Sequence, residues 1–269
     1  ILHFFKPTAN FKFLPAYMRF SNLKEMLLIG SPSALGRGAS MLQSAFLNHI
    51  ALGAGGAAGV AALAIFNNIF SMVESVPKAI ASTAQIISGI LIGEKDKKSI
   101  LRLLIISLRS SILVSGTMFV ILILGAPIIS GFYTSGNDSA VFDMVVEGVH
   151  CMAFSVIFST GAALLQYFYQ AYGRFKLVSF MAVANNIIFI APLALILTPI
   201  FGMTGVWLTI LFNNVLFFIA IILGVWYHYK KITFKPENML LLPQNFGNPN
   251  NPQMNMTVTF KDDDLSISE

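Results

Sequence analysis

The stretch Gly93–Arg102, GEKDKKSILR, carries four of the 17 Lys and Arg residues of this chain and separates two long apolar runs. Elsewhere, cationic segments alternate with segments that contain no Lys or Arg, namely residues 53–59, 134–140 and 198–205. Because Lys and Arg are retained on the cytoplasmic side of a membrane, this alternation predicts six membrane spans with both termini in the cytoplasm. We expect a multi-pass protein of the plasma membrane, which is the inner membrane in a bacterium.

The composition agrees with a membrane location. Hydrophobic residues make up 56% of the chain and charged residues 11%, and the mean hydropathy is +0.74. Soluble domains contain roughly 25% charged residues. The basic residues behind the pI of 9.3 set topology and meet anionic headgroups. The expected partner is therefore the lipid bilayer and not nucleic acid. The single cysteine, Cys151, excludes an intramolecular disulfide and leaves no metal-ligand spacing.

Six apolar runs are long enough to cross a bilayer as helices, which takes about 20 residues. They are Leu23–Leu52, Ala58–Gly93, Ile100–Phe132, Val141–Ala171, Leu177–Pro199 and Met203–Tyr227. The sequence therefore predicts an all-α polytopic membrane protein. Residues 1–22 form a basic and aromatic cytoplasmic segment, 23–229 a six-helix lobe, and 230–269 a cytoplasmic polar linker. The linker ends in a strand-like stretch at 256–260, so it is either a tail or the start of a truncated soluble domain.

Several runs contain helix-breaking residues. Breaks at membrane depth are common in transporters, whose binding sites lie between half-helices. Small residues also allow close packing of neighbouring helices, which is the alternative interpretation of the glycines. The positions are Pro32, Gly36, Gly38, Pro77, Pro127 and Pro192.

Three charges lie near the middle of the predicted spans: Arg37 in the first, and Glu74 and Lys78 in the second. A charge in hydrocarbon costs at least about 2.5 kcal/mol, so such residues normally face a bundle interior or a water-filled cavity. Glu74 and Lys78 are four residues apart and share one helical face. The trio is either a structural brace, with Arg37 reaching towards the interface, or a polar cavity that binds a substrate or a coupling ion.

Amide side chains recur on the same helices. Interhelical hydrogen bonds of amide side chains are worth about 0.6–2 kcal/mol in membranes. Each of these side chains could therefore serve to hold two helices together. Two Phe-Asn-Asn triplets, at 66–68 and 212–214, follow predicted extracellular starts at a similar interval, which favours a common polar lining. No enzyme or nucleotide-binding motif occurs, so we expect no catalytic residue, no metal site and no cofactor. The polar candidates for substrate or ion binding are Ser40, Gln43, Asn67, Gln166 and Asn213.

Four segments, in their order and spacing, resemble the C-terminal half of the multidrug and toxic compound extrusion (MATE) transporters. They are GSPSAL (30–35), AGVAALAIFNN (58–68), AQIISGILIGEKD (84–96) and LQYFYQAYGR (165–174). The resemblance covers roughly residues 23–230. It implies one six-helix lobe of a twelve-helix transporter, with the N-terminal lobe as its partner. It further implies export of small organic compounds by exchange for H+ or Na+.

One departure from the family pattern affects the expected substrate. Many members carry an acidic residue eight positions after the proline of GSPSAL, where this chain has Ser40. The loss of that acid, together with Arg37, suits an anionic substrate better than a cationic one. Two alternatives therefore remain open beside the drug exporter: a flippase for lipid-linked or anionic substrates, and a membrane anchor or sensor module for a C-terminal cytosolic signalling domain.

Overall fold

The computed structural model describes residues 20–134, 139–229 and 239–240, and in these ranges the chain is built from helices. Its elements are α1 (Phe20–Gly93), α2 (Lys97–Tyr133), α3 (Ser139–Ala171), α4 (Phe175–Val183), a π-helix (Ala184–Ile188), α5 (Ile190–Phe201) and α6 (Met203–Tyr229). The central helix is α3, which packs against α1, α2 and α6.

Helix α1 folds back on itself at Gly56. This residue has φ 61° and ψ −149°, a conformation that side chains rarely adopt. A Cβ built on Gly59 would lie 2.7 Å from the carbonyl oxygen of Ala51, whereas eight residues of straight helix span roughly 12 Å. The helix therefore forms two packed arms, which we call the first arm (residues 20–55) and the second arm (57–93).

With this reversal the predicted six-span architecture is confirmed. Among the described residues, five apolar helical stretches are long enough to cross a membrane, and the first of them, Gly30–Gly93, contributes both arms. The fifth span is α4, the π-helix and α5 in series. The turns at Lys95, Gly173 and Gly202 each contain a positive φ, and they fall where the predicted spans end.

Helix α2 begins with a side-chain cap. The carboxylate of Asp96 accepts hydrogen bonds from the backbone N–H of Ser99 at 3.0 Å and from its hydroxyl at 2.6 Å. These bonds satisfy a donor that the helix start leaves free, and they lower the pKa of Asp96. The cap explains why the polar stretch around Asp96 turns the chain into a new helix.

The proline positions do not all interrupt a helix as expected. Pro32, Pro77 and Pro127 lie inside α1 and α2, and the strongly non-helical residue of α1 is Gly56. In the fifth span the interruption comes before Pro192, as the π-helix Ala184–Ile188. A proline lacks the N–H that would bond to the carbonyl four residues earlier, and its ring clashes with it. For Pro192 that carbonyl belongs to Ile188, where the π-helix ends.

The core of the lobe is aromatic. The Trp207 ring stacks on Phe66 with centroids 4.9 Å apart. A Cβ on Gly148 would lie 3.0–3.1 Å from both rings, so glycine is what lets α3 approach them. The stacking of Phe66 on Trp207 fixes the position of the second arm along its axis relative to α6.

Two residues of the segment predicted as a polar linker, 230–269, are described by the structure. Met239 and Leu240 pack back onto the lobe, and Leu240 is fully buried. Four consecutive apolar residues begin at Met239, so burial of part of this run removes apolar surface from water. The predicted strand at 256–260 and nearly all of segment 1–22 lie outside the described residues.

Candidate functional site

A buried group of polar side chains joins α6 to the interrupted fifth span and to α3. The Asn213 amide nitrogen donates to the side-chain oxygen of Asn185 at 3.0 Å, and that of Asn214 donates to the Ser155 hydroxyl at 2.6 Å. We call these four residues the asparagine centre. Asn213 is only 3% exposed, and its Oδ1 atom has no hydrogen-bond partner among the described residues. Such an oxygen is available to accept from water or to contact a cation.

The π-helix carries the contribution of the fifth span to this centre. Asn185 and Asn186 both lie within it, and the amide nitrogen of Asn186 donates to the carbonyl of Ala182 at 2.7 Å. Single π-helical turns within α-helices occur frequently at functional sites. A Cβ on Gly36 would lie 3.6 Å from that of Ala182, so the first arm passes close to this span.

The first arm exposes a polar stripe on which two of the predicted residues lie. Successive spacings of four, three and four residues keep its members on one helical face. All four are exposed, and a Cβ added at Gly38 would meet nothing within 4 Å, so there is open space beside the stripe. The first-arm stripe consists of Ser33, Arg37, Ser40 and Ser44. Gln43 lies off this face and is half-buried.

The second arm has a polar stripe with the same spacing. It consists of Asn67, Ser71, Glu74 and Lys78. Glu74 and Lys78 form the predicted ion pair, and their side chains are 22% and 52% exposed. Glu74 thus pairs with Lys78, and the structure shows no ion pair between Glu74 and Arg37. The cationic charge of Arg37 is not cancelled by this carboxylate.

The common lining predicted for the two Phe-Asn-Asn triplets is wrong. Asn67 and Asn68 are exposed, whereas Asn213 and Asn214 are buried. The stacking of Phe66 on Trp207 places these two residues at the same depth in the lobe. Asn213 lies six residues beyond Trp207, which is roughly 9 Å further along α6. The two triplets therefore lie at different depths. The structure thus places Asn67 with Glu74 and Lys78, and Asn213 with Asn185. Gln166 is half-buried on α3.

Sequence reasoning did not single out Ser155, and it gave Asn185 no particular role. A serine in an apolar run carries little signal, because most such hydroxyls bond to their own helix, as Thr209 does to the carbonyl of Gly205. For Asn185 the sequence does contain a signal, namely Pro192. A proline disrupts the hydrogen bonding of the helical turn that precedes it.

Two polar stripes and a buried amide centre within six apolar spans define the lobe of a polytopic α-helical membrane protein. The chain belongs to the MatE family, whose model matches residues 32–196.

Similar proteins agree with this assignment. A probable multidrug resistance protein NorM from Listeria monocytogenes is 29% identical over 157 residues, which are 58% of this chain and 32% of that relative. The counterpart from Listeria innocua gives the same values. The chain thus matches about a third of the length of these relatives.

Solved structures share the fold of the lobe. An outward-facing multidrug resistance MATE family transporter of the MOP superfamily has a TM-score of 0.73 at 17% identity, covering 87% of this chain and 50% of that one. A MOP superfamily transporter from Pyrococcus furiosus, described as having a binding pocket of reverse polarity that suggests a different function, has a TM-score of 0.72 at 18% identity. It covers 79% of this chain and 47% of that one. The lobe therefore corresponds to about half of each transporter.

Proposed function

We propose that this lobe is the C-terminal half of a MATE-type secondary transporter, which exports small organic compounds by antiport with H+ or Na+ through alternating access. A second, N-terminal lobe is its partner, and both termini of the lobe lie on the cytoplasmic side of the plasma membrane. The observation that carries this proposal is the pair of exposed polar stripes on the two arms of α1. A stripe with an arginine or an ion pair is costly against hydrocarbon, but it is stable against a water-filled cavity.

Each polar group has a different role in this proposal. Substrate binds along the exposed stripes, where Arg37, Ser40 and Asn67 offer hydrogen bonds. Gln43 and Gln166 are half-buried. In this proposal their side chains limit how deeply the substrate enters the cavity. The Glu74 carboxylate holds the Lys78 ammonium in the second-arm stripe through their ion pair. The asparagine centre sits at the break in the fifth span and holds it against α6 while the substrate side opens and closes.

The test of this proposal uses the full-length protein reconstituted in liposomes. Substrate efflux is followed with an imposed pH or Na+ gradient and a panel of organic dyes. Asn213→Ala should abolish most of the efflux, because it removes the bond to Asn185. The matched control Gln170→Ala changes a half-buried amide near the end of α3 and should leave efflux near the wild-type rate. If neither a pH gradient nor a Na+ gradient drives efflux by the wild type, the protein is not a secondary transporter of this kind.

A second candidate is transport of an anionic substrate, such as a lipid-linked phosphate. Arg37 favours it, because Glu74 is paired with Lys78 and Ser40 is neutral. The Pyrococcus furiosus transporter, with its described reverse polarity of the pocket, gives a precedent on the same fold. Arg37→Gln should then impair uptake of an anionic lipid analogue at least tenfold, while Arg37→Lys retains most of it. Full-rate export of cationic dyes by the wild type would contradict this candidate.

A further inference from the structure

We propose that the lobe contains a binding site for its own C-terminal segment at the basic end, where the turns at Lys95 and Gly173 lie. The bound segment is Met239–Leu240. This tail site rests on packing and hydrogen bonding at that end, and it holds whether or not the transport proposal is correct.

The first support is the depth of Leu240. Its side chain is fully buried in a cluster built from three different helices of the lobe. A leucine that leaves water for such a pocket is stabilised by the removal of its apolar surface from water. The residues that surround it come from the second arm, α2 and α3, and they are Ala81, Ala84, Ile100, Leu104, Leu164 and Phe168.

The second support is a hydrogen bond to the backbone of the segment. The Tyr169 hydroxyl donates to the carbonyl oxygen of Met239 at 2.8 Å, and the tyrosine itself is almost fully buried. A carbonyl that lies against apolar side chains is costly unless it has a donor. The tyrosine therefore selects one position of the tail, independently of which side chain stands at 239.

The third support is that Met239 lies between two core clusters. It packs against the Leu240 cluster and also against a second cluster formed by α3, α4 and α6. Methionine is flexible and fills irregular gaps well. Because α6 ends at Tyr229, nine residues (230–238) separate it from Met239, and a connection of this length can span at most roughly 33 Å. Met239 and Leu240 thus connect the cluster that contains α6 to the cluster that contains the second arm and α2.

The consequence is a mechanical one. The segment contacts helices from both sides of α3, so it holds the basic ends of the second arm, α2, α3 and α6 around one core. Because these helices are held together, this end of the lobe moves as a rigid body. Release of the tail would leave α2 held at this end by its packing against α1 and α3, which are its larger described contacts.

The experiment measures the reactivity of single thiols in the purified full-length protein, in a Cys151→Ala background. The L240C thiol should react with a water-soluble maleimide at least tenfold more slowly than the control thiol of K95C, which lies in an exposed turn at the same end. Adding Tyr169→Phe should accelerate labelling of L240C severalfold and leave K95C unchanged. Leu240→Asp should lower the Tm, whereas Leu240→Met should not.

Equal labelling rates for L240C and K95C would overturn the tail site. A slow rate for L240C that Tyr169→Phe does not change would also overturn it, because the hydrogen bond would then contribute nothing to binding. Neither readout depends on substrate, so failure here is separate from failure of the transport proposal.

Discussion

The two Phe-Asn-Asn triplets have the same sequence but opposite orientations. In the second arm, Phe66 is 1% exposed and the two asparagines are exposed. In α6, Phe212 is 42% exposed and both asparagines are buried. The triplet itself therefore does not decide which face is buried. The flanking residues decide it, because they set which side of each helix meets the core.

The flanking pattern explains both cases. In the second arm the buried stripe is Ala62, Leu63, Phe66 and Ile69, whose spacing of three and four residues includes the phenylalanine of the triplet. In α6 the buried stripe is Val206, Trp207, Ile210, Phe217 and Ile221. Asn213 and Asn214 fall on this second stripe, three or four residues from Ile210 and Phe217. The asparagines of α6 are therefore structural polar groups in a core, and those of the second arm belong to an exposed surface.

The largest expected difference concerns the phenylalanines. Phe66→Ala should lower the free energy of unfolding by about 3 kcal/mol or more, because it removes the stacking partner of Trp207 and leaves a cavity. Phe212→Ala, at the same place in its triplet, should cost less than about 1 kcal/mol. Thermal unfolding of the two variants in detergent measures the difference. Similar losses would show that the two triplets are buried alike.

A smaller difference is expected for the asparagines. Asn214→Ala should destabilise the protein by about 1 kcal/mol, since it leaves the Ser155 hydroxyl without its donor. Asn68→Ala, on the exposed side of the second arm, should be close to neutral. The same unfolding assay compares them, with Asn214→Ser as a variant that keeps a polar group. If Asn68→Ala proves the more costly of the two, the assignment of the faces is reversed.

The smallest expected effect is the coupling between Glu74 and Lys78. In contact with water, an i, i+4 ion pair contributes about 0.3–0.5 kcal/mol. A double-mutant cycle with Glu74→Gln and Lys78→Ala measures this energy. Lys78→Ala alone should still be slightly worse than the double variant, because it leaves Glu74 unpaired. A coupling of several kcal/mol would mean that the pair is buried away from water, and that the second-arm stripe does not face an aqueous cavity.

The fold could be predicted from the sequence because the positions of lysine and arginine and the length of the apolar runs both respond to the membrane itself. The Glu74–Lys78 pair could also be predicted, since four residues of helix bring the two side chains together. The asparagine centre could not, because it depends on which residues of α3, the π-helix and α6 become neighbours. The docked tail was missed for a related reason. Four apolar residues from Met239 are too few to predict a pocket that three other helices supply.

A topology experiment needs labelling positions whose side chains are accessible in the structure. Gly205 lies in a segment without cations and could be chosen for labelling from outside, but it is buried. A Cβ there would collide with the backbone of Leu197 and Thr198. Ile200, in the same segment, is strongly exposed. The I200C thiol should therefore react from outside intact cells, whereas K95C should not, and the reverse result would invert the six-span topology.

The central claim is that the polar stripes of the two arms face water, whereas the exposed apolar face of α2 faces lipid. Single thiols of S40C, S71C and L124C in the full-length, membrane-embedded protein test it, again with Cys151→Ala. A maleimide needs the thiolate, which does not form in hydrocarbon. We predict that S40C and S71C react with a water-soluble maleimide, and that L124C, at one of the most exposed positions of α2, does not. Labelling of L124C with protection of both serine positions would contradict the account.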